Sequence, residues 1–120
     1  MALSRLAREF ATEIKQQDWS DSPYRRDRAG HDRSTDSNYG EETLSQRETD
    51  SIRTNVMWVT AQVLGHADPN FDVYEYAEAC GVDTQNSRGG KDGGIESGLR
   101  KHNSLYLCPG TWEDSEEQLC

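Results

Sequence analysis

The stretch Ser45–Gly65, SQRETDSIRTNVMWVTAQVLG, decides the reading of the fold. Ser45 with Glu48 three positions on fits a capping box, in which each side chain satisfies a main-chain N–H that the first helical turn leaves unpaired. Ile52, Val56, Val59 and Val63 then follow at spacings of four and three, down one helical face to Gly65. Met57, Ala61 and Leu64 widen that face, and Trp58 projects away from it. The first half is amphipathic and the second half apolar nearly all round. That pattern predicts the central helix of a small bundle, 45–64, touched on several sides.

Toward the N-terminus, Leu3, Leu6, Ala7, Phe10, Ala11 and Ile14 share one face of a second amphipathic helix, 3–17. Arg5 and Glu9 on its polar side are four apart and can pair. Between the two helices lies WSDSPYRRDRAGHDRSTDSNYGEE, with Trp19, Tyr24, Ala29 and Tyr39 as its only apolar or aromatic residues. An apolar core cannot be made from that composition, so 18–42 reads as a mobile loop. Its arginines (Arg25, Arg26, Arg28, Arg33) form the chain's only basic patch and are diluted by Asp27 and Asp32.

Toward the C-terminus, Asp68-Pro69-Asn70 is a turn sequence. Asp72 can cap a third, short helix, 73–80, with Val73, Tyr76, Ala77 and Cys80 inward and Gly81 at the left-handed C-cap. Residues 84–94, TQNSRGGKDGG, read as a flexible Gly-rich loop. Ile95–His102 predicts a fourth short helix, Leu105–Cys108 a short extended piece, and 109–120 an acidic tail. The expected architecture is therefore mainly α: one helical domain over 1–108, its two long helices antiparallel and closed by the third.

The chain has 120 residues and a formal charge of −9. Leu, Ile, Val and Phe make up only 15% of it, so one modest core is the most it can build. No apolar run approaches the ~18 residues that a membrane span needs. The start, MALSRLAREF, has no continuous apolar stretch of the secretory kind. Cys80, Cys108 and Cys120 are odd in number with no CxxC pair, which predicts free thiols and a cytoplasmic setting. The acidity is concentrated: residues 61–120 carry 4 basic and 11 acidic groups. Such a surface repels phosphate backbones and suits a basic partner or plain solubility.

Most motif-like segments fail on their chemistry. Asp68-x-Asn70-x-Asp72 starts like a calcium loop but has Val73 at the sixth position and Ala79 at the twelfth, where Gly and Glu are needed. GGKDGG (89–94) lacks the Ser or Thr after Lys91 that a phosphate loop requires. Cys80, His102, Cys108 and Cys120 suit zinc by type, without the short chelating pair that pre-forms a site. No nucleophilic or paired-carboxylate constellation stands out, which points away from an enzyme and from a cofactor. Tyr76–Asp83, YAEACGVD, resembles the first helix and turn of a helix-turn-helix, with Thr84–Gly94 inserted before a recognition helix could begin.

The run NVMWVTAQVLGHADPNFDVYEYAEACGVD (55–83), with SRLAREFA before it and the SPYRRDRAGH loop, resembles small uncharacterised proteins of actinobacterial phages and prophages. That resemblance implies an accessory protein that binds a host protein. The expected contact surface combines the carboxylates of Asp68, Asp72, Glu75, Glu78 and Asp83 with the exposed rings of Trp58 and Tyr74, facing a basic host protein. A DNA-mimic version fits the same charge. The alternatives are a helix-turn-helix-like DNA-binding regulator using Tyr74–His102 and a zinc-stabilised small domain. Neither direct nucleic-acid binding nor a membrane is expected for the first reading.

Overall fold

The computed structural model describes residues 3–35 and 42–111. Among the described residues four α-helices and one small hairpin make a mainly α-helical protein: α1 (Arg5–Gln16), α2 (Gln46–Ala67), α3 (Val73–Ala79), α4 (Gly94–Ser97), β1 (Lys101–His102) and β2 (Leu105–Tyr106). No helix among these residues is long and apolar enough to cross a membrane.

The helix ends follow the capping residues. Ser4 caps α1 by accepting from the Ala7 N–H. Ser45 and Glu48 form the reciprocal box at the start of α2, with the Glu48 N–H 3.2 Å from Ser45 Oγ and the Ser45 N–H 3.0 Å from Glu48 Oε1. The two hydrogen bonds from Ser45 hold the Glu48 carboxyl below its ordinary range. α2 runs on past Gly65 to Ala67, one turn beyond the expected end. Asp72 caps α3 through the Tyr74 and Glu75 N–H groups. At the other end the Val82 N–H reaches the Ala77 carbonyl and the Gly81 N–H the Glu78 carbonyl, with Gly81 at φ 86°. Only glycine adopts that conformation freely, which is why the chain turns there.

The core joins α1, α2 and α3 around Ala7, Ala11, Ile14, Met57, Ala61, Tyr76, Ala77 and Cys80. The last turn of α1 lies beside the start of α2, where Lys15, Gln16, Gln46, Thr49 and Arg53 surround one cavity. The two long helices thus pack together, with the end of α1 beside the start of α2 as the predicted pairing requires. Tyr76 is fully buried and its hydroxyl lies 2.7 Å from Thr60 Oγ1, so its one polar atom is satisfied.

α2 is rotated relative to the expected face. Its buried positions are Thr49, Met57, Ala61, Gln62, Leu64 and Gly65, while Val59 is 71% exposed and Val63 50%. Leu6 and Phe10 on α1 are exposed as well. The reason is the C-terminal segment, which occupies a second side of α2. Gln62 clamps it, donating to the carbonyls of Arg100 and Leu107 (both 3.0 Å) and accepting from the Arg100 N–H at 2.8 Å. The Tyr106 ring lies so close on Gly65 that a Cβ there would overlap it.

That segment is also not the predicted helix 95–102. α4 is a single turn, and Lys101–His102 pair with Leu105–Tyr106 as an antiparallel hairpin. Asn103 and Ser104 both have positive φ, 51° and 67°, as a two-residue turn between twisted strands requires.

The two loops expected to lack packed structure are built. Residues 18–35 close around buried Asp21 and His31, each 1% exposed. In the second loop Gln85 pairs with Lys91, and the Asn86 side chain accepts from the Arg88 and Gly90 N–H groups. Periodicity cannot anticipate either, because both are held by polar contacts. Residues 36–41 and the tail from 112 on, where Cys120 falls, lie outside the described residues. Cys80 is a buried free thiol as expected, whereas Cys108 is disulfide-bonded, contrary to the free-thiol expectation.

Candidate functional site

Most of the carboxylates expected to face a partner have local work. Asp68 accepts from the Asn70 N–H at 2.9 Å and Asp83 from the Gln85 N–H at 3.0 Å, both in turns. Asp72 is the α3 cap, and Glu78 accepts from Thr84 Oγ1 at 2.8 Å. Glu75 is half-buried on the first turn of α3. Trp58 is not an exposed anchor. Its indole N–H donates to the Ile95 carbonyl at 2.8 Å, and its ring lies against Gly98 so closely that a Cβ would overlap it. Trp58 is thus a strut between α2 and α4.

Of the expected residues, Asp72 and Tyr74 come together in a concave place. They line a cleft of about 300 Å³ between the start of α3 and the hairpin. Phe71 and Tyr106 form its floor, edge to face at 6.1 Å, and Phe71 in turn leans on buried Tyr76 at 5.2 Å. Two of the chain's three lysines converge on the same cleft. Lys91 Nζ stands 4.7 Å from the centre of the Tyr74 ring, and Lys101 Nζ 4.6 Å from that of Tyr106. Both are cation–π distances. Glu96 completes the rim and holds Lys101 at 3.7 Å.

The electrostatics of the rings follow from this rim. Burial, then the Glu96, Asp92 and Asp72 carboxylates, raise the Tyr74 phenol. Burial, then Glu96 and Asp72, push Tyr106 up to about 12. Both phenols therefore stay neutral and sit in a negative field. Lys91, Glu96, Lys101 and Tyr106 were not legible as site residues. Lys91 lies in a Gly-rich loop, Glu96 and Lys101 in a segment read as a helix and Tyr106 in one read as a short extended piece, and only the fold brings them to α3.

A second polar cluster sits in the loop after α1. His31 Nε2 is 3.0 Å from Asp21 Oδ1, and His31 Nδ1 is 3.0 Å from Asp27 Oδ2. With a carboxylate on each nitrogen, a doubly protonated ring satisfies both contacts. Arg33 reaches Asp21 at 3.2 Å and Arg25 reaches Asp27 at 2.6 Å. These ion pairs and hydrogen bonds hold the loop closed around His31.

The remaining chemical candidates are not assembled. Among the described residues no group of three His, Cys, Asp or Glu is placed to hold a metal ion. Burial pushes the Cys80 thiol up to about 11, which keeps it neutral in the core. The single-turn α4 and the hairpin stand where a helix-turn-helix would need its recognition helix. No family model, no curated protein and no solved structure matches the chain.

Proposed function

We propose that this chain is a non-enzymatic binding module that takes a basic segment of a partner protein at the cleft between α3 and the hairpin. One observation carries the reading: two half-buried tyrosines, Tyr74 and Tyr106, share a concave site with the carboxylates of Asp72 and Glu96. Tyrosine supplies contact area at low entropic cost, and carboxylates steer and select a cationic partner. The chain's charge of −9 favours the same sign of partner at long range. An accessory protein of a phage or prophage, acting on a host protein in the bacterial cytoplasm, is the biological setting that goes with this reading.

The contact surface we propose differs from the one expected. Trp58 leaves it, Asp72 and Tyr74 stay, and Glu96 and Tyr106 join. The test is retention of a basic protein from nuclease-treated bacterial lysate by immobilised protein, compared with Tyr74→Ser and Glu96→Lys. Retention by the native chain and loss with both variants is expected. Equal retention by all three would move the contact elsewhere, and no retained protein together with a gel shift of separately added duplex DNA would favour a regulator.

A further inference from the structure

Each of the two tyrosine faces in the cleft already has a cation over it, and both cations come from the chain itself. A ring flanked by carboxylates is what an incoming ammonium or guanidinium group would seek. Lys91 and Lys101 hold the places such a group would take. They differ in how firmly they are held. Lys101 belongs to the hairpin that Gln62 clamps to α2, and Glu96 anchors its ammonium. Lys91 sits in an exposed loop whose backbone is pinned at Gln85 and at Thr84, where the Asp92 N–H reaches the Thr84 carbonyl at 2.8 Å. Its long side chain reaches Tyr74 with no salt bridge among the described residues. The side chain can therefore leave without unfolding the loop.

We infer that Lys91 is an internal stand-in for the ligand: the Tyr74 face of the cleft takes an arginine side chain of a basic partner segment, and Lys91 must swing off the ring to admit it. Arginine is the better occupant because its planar guanidinium stacks on a ring and still reaches carboxylates at its edge, here Asp72 and Glu96. The effect is a threshold. A lone cation competes poorly with the tethered lysine, whereas a segment with several arginines gains enough contacts to displace it. This inference rests on the proposed binding reading and adds the identity of the side chain and its competitor.

The experiment is calorimetric titration of the whole protein with an end-blocked glycine peptide carrying three arginines, and separately with its glutamate counterpart. The variants are Lys91→Ala, Glu96→Gln and Arg88→Ala. Arg88 is exposed in the same loop and outside the cleft, so its variant removes an equal charge without opening the site. Removal of a competing exposed cation–π contact should tighten arginine-peptide binding about threefold in Lys91→Ala. Arg88→Ala should change it by less, and Glu96→Gln should weaken it. Equal tightening by Lys91→Ala and Arg88→Ala would mean a general charge effect and overturn the stand-in. Arginine-peptide binding that Glu96→Gln weakens and Lys91→Ala leaves unchanged would also overturn it, while leaving the binding reading intact. Binding of the glutamate peptide, lost in Lys91→Ala, would overturn both, as would no binding of either peptide to any variant.

Discussion

Two glycines show how single residues set the packing of the C-terminal segment. Gly65 lies under the Tyr106 ring and Gly98 under the Trp58 ring, and a Cβ at either would overlap the aromatic above it. Neither glycine has positive φ, so the need is for space. Overpacking of this kind costs about 1–3 kcal/mol. Gly98→Ala should therefore lower the unfolding free energy by that amount and shift Trp58 emission, as read by urea denaturation. The buried Asp21–His31 pair makes a stronger demand. Removal of one partner leaves a buried group that has lost an ionic contact, Asp21 retaining Arg33 and His31 retaining Asp27, at a cost of roughly 3–5 kcal/mol. Asp21→Ala and His31→Ala should each be severely destabilising. Their double variant should cost far less than the sum, and a double-mutant cycle that came out additive would show that the two groups are not coupled.

At the scale of the helices, periodicity identified α1, α2 and α3, and residue type identified the caps of α2 and α3, because those depend on neighbours in sequence. It did not give the rotation of α2. The stripe Ile52, Val56, Val59 and Val63 is the more apolar face, yet the packed face carries Thr49, Gln62 and Gly65. A buried glutamine and a glycine under a ring carry no periodic signal. They are useful only once a distant hairpin supplies Arg100, Tyr106 and Leu107 as partners. The rotation makes a prediction opposite to the one periodicity would suggest. Val59→Lys, at a 71% exposed position, should change stability by no more than about 0.5 kcal/mol. Met57→Lys, which places a charge at a fully buried position, should prevent folding, and circular dichroism of the two variants checks both. Gln62→Leu should free the hairpin while sparing the helices. It leaves the Arg100 N–H without its acceptor, so hydrogen exchange should quicken at Arg100 and Leu107 with little change in helical signal.

Across the whole molecule, the parts that the sequence could not reveal are held by two different chemistries. The cleft and hairpin depend on rings and a neutral amide, whereas the loop 18–35 depends on carboxylates. Composition excluded an apolar core from that loop, correctly, but a closed set of ion pairs and hydrogen bonds depends on matched geometry that spacing does not encode. The consequence is an ordered response to acid. Burial works to raise the Asp18 carboxyl, but donors from Ser20, the Arg33 N–H and the His31 charge outweigh it and hold it below its ordinary value. A lowered carboxyl contributes stability that is complete above its unfolded-state pKa and is lost as pH falls through the folded one. The loss for Asp18 therefore begins near pH 4 and grows below it. Two indoles report the two regions separately, since Trp19 donates to the Ile14 carbonyl at 3.0 Å beside the loop and Trp58 to the Ile95 carbonyl at 2.8 Å under α4. On acid titration followed by NMR, the Trp19 indole N–H resonance should shift and broaden first. That of Trp58 should hold until the helices melt, because its own partners, the Ile95 carbonyl and Gly98, do not titrate. Simultaneous loss of both signals would mean that the carboxylate-held loop and the helical core unfold as one cooperative unit.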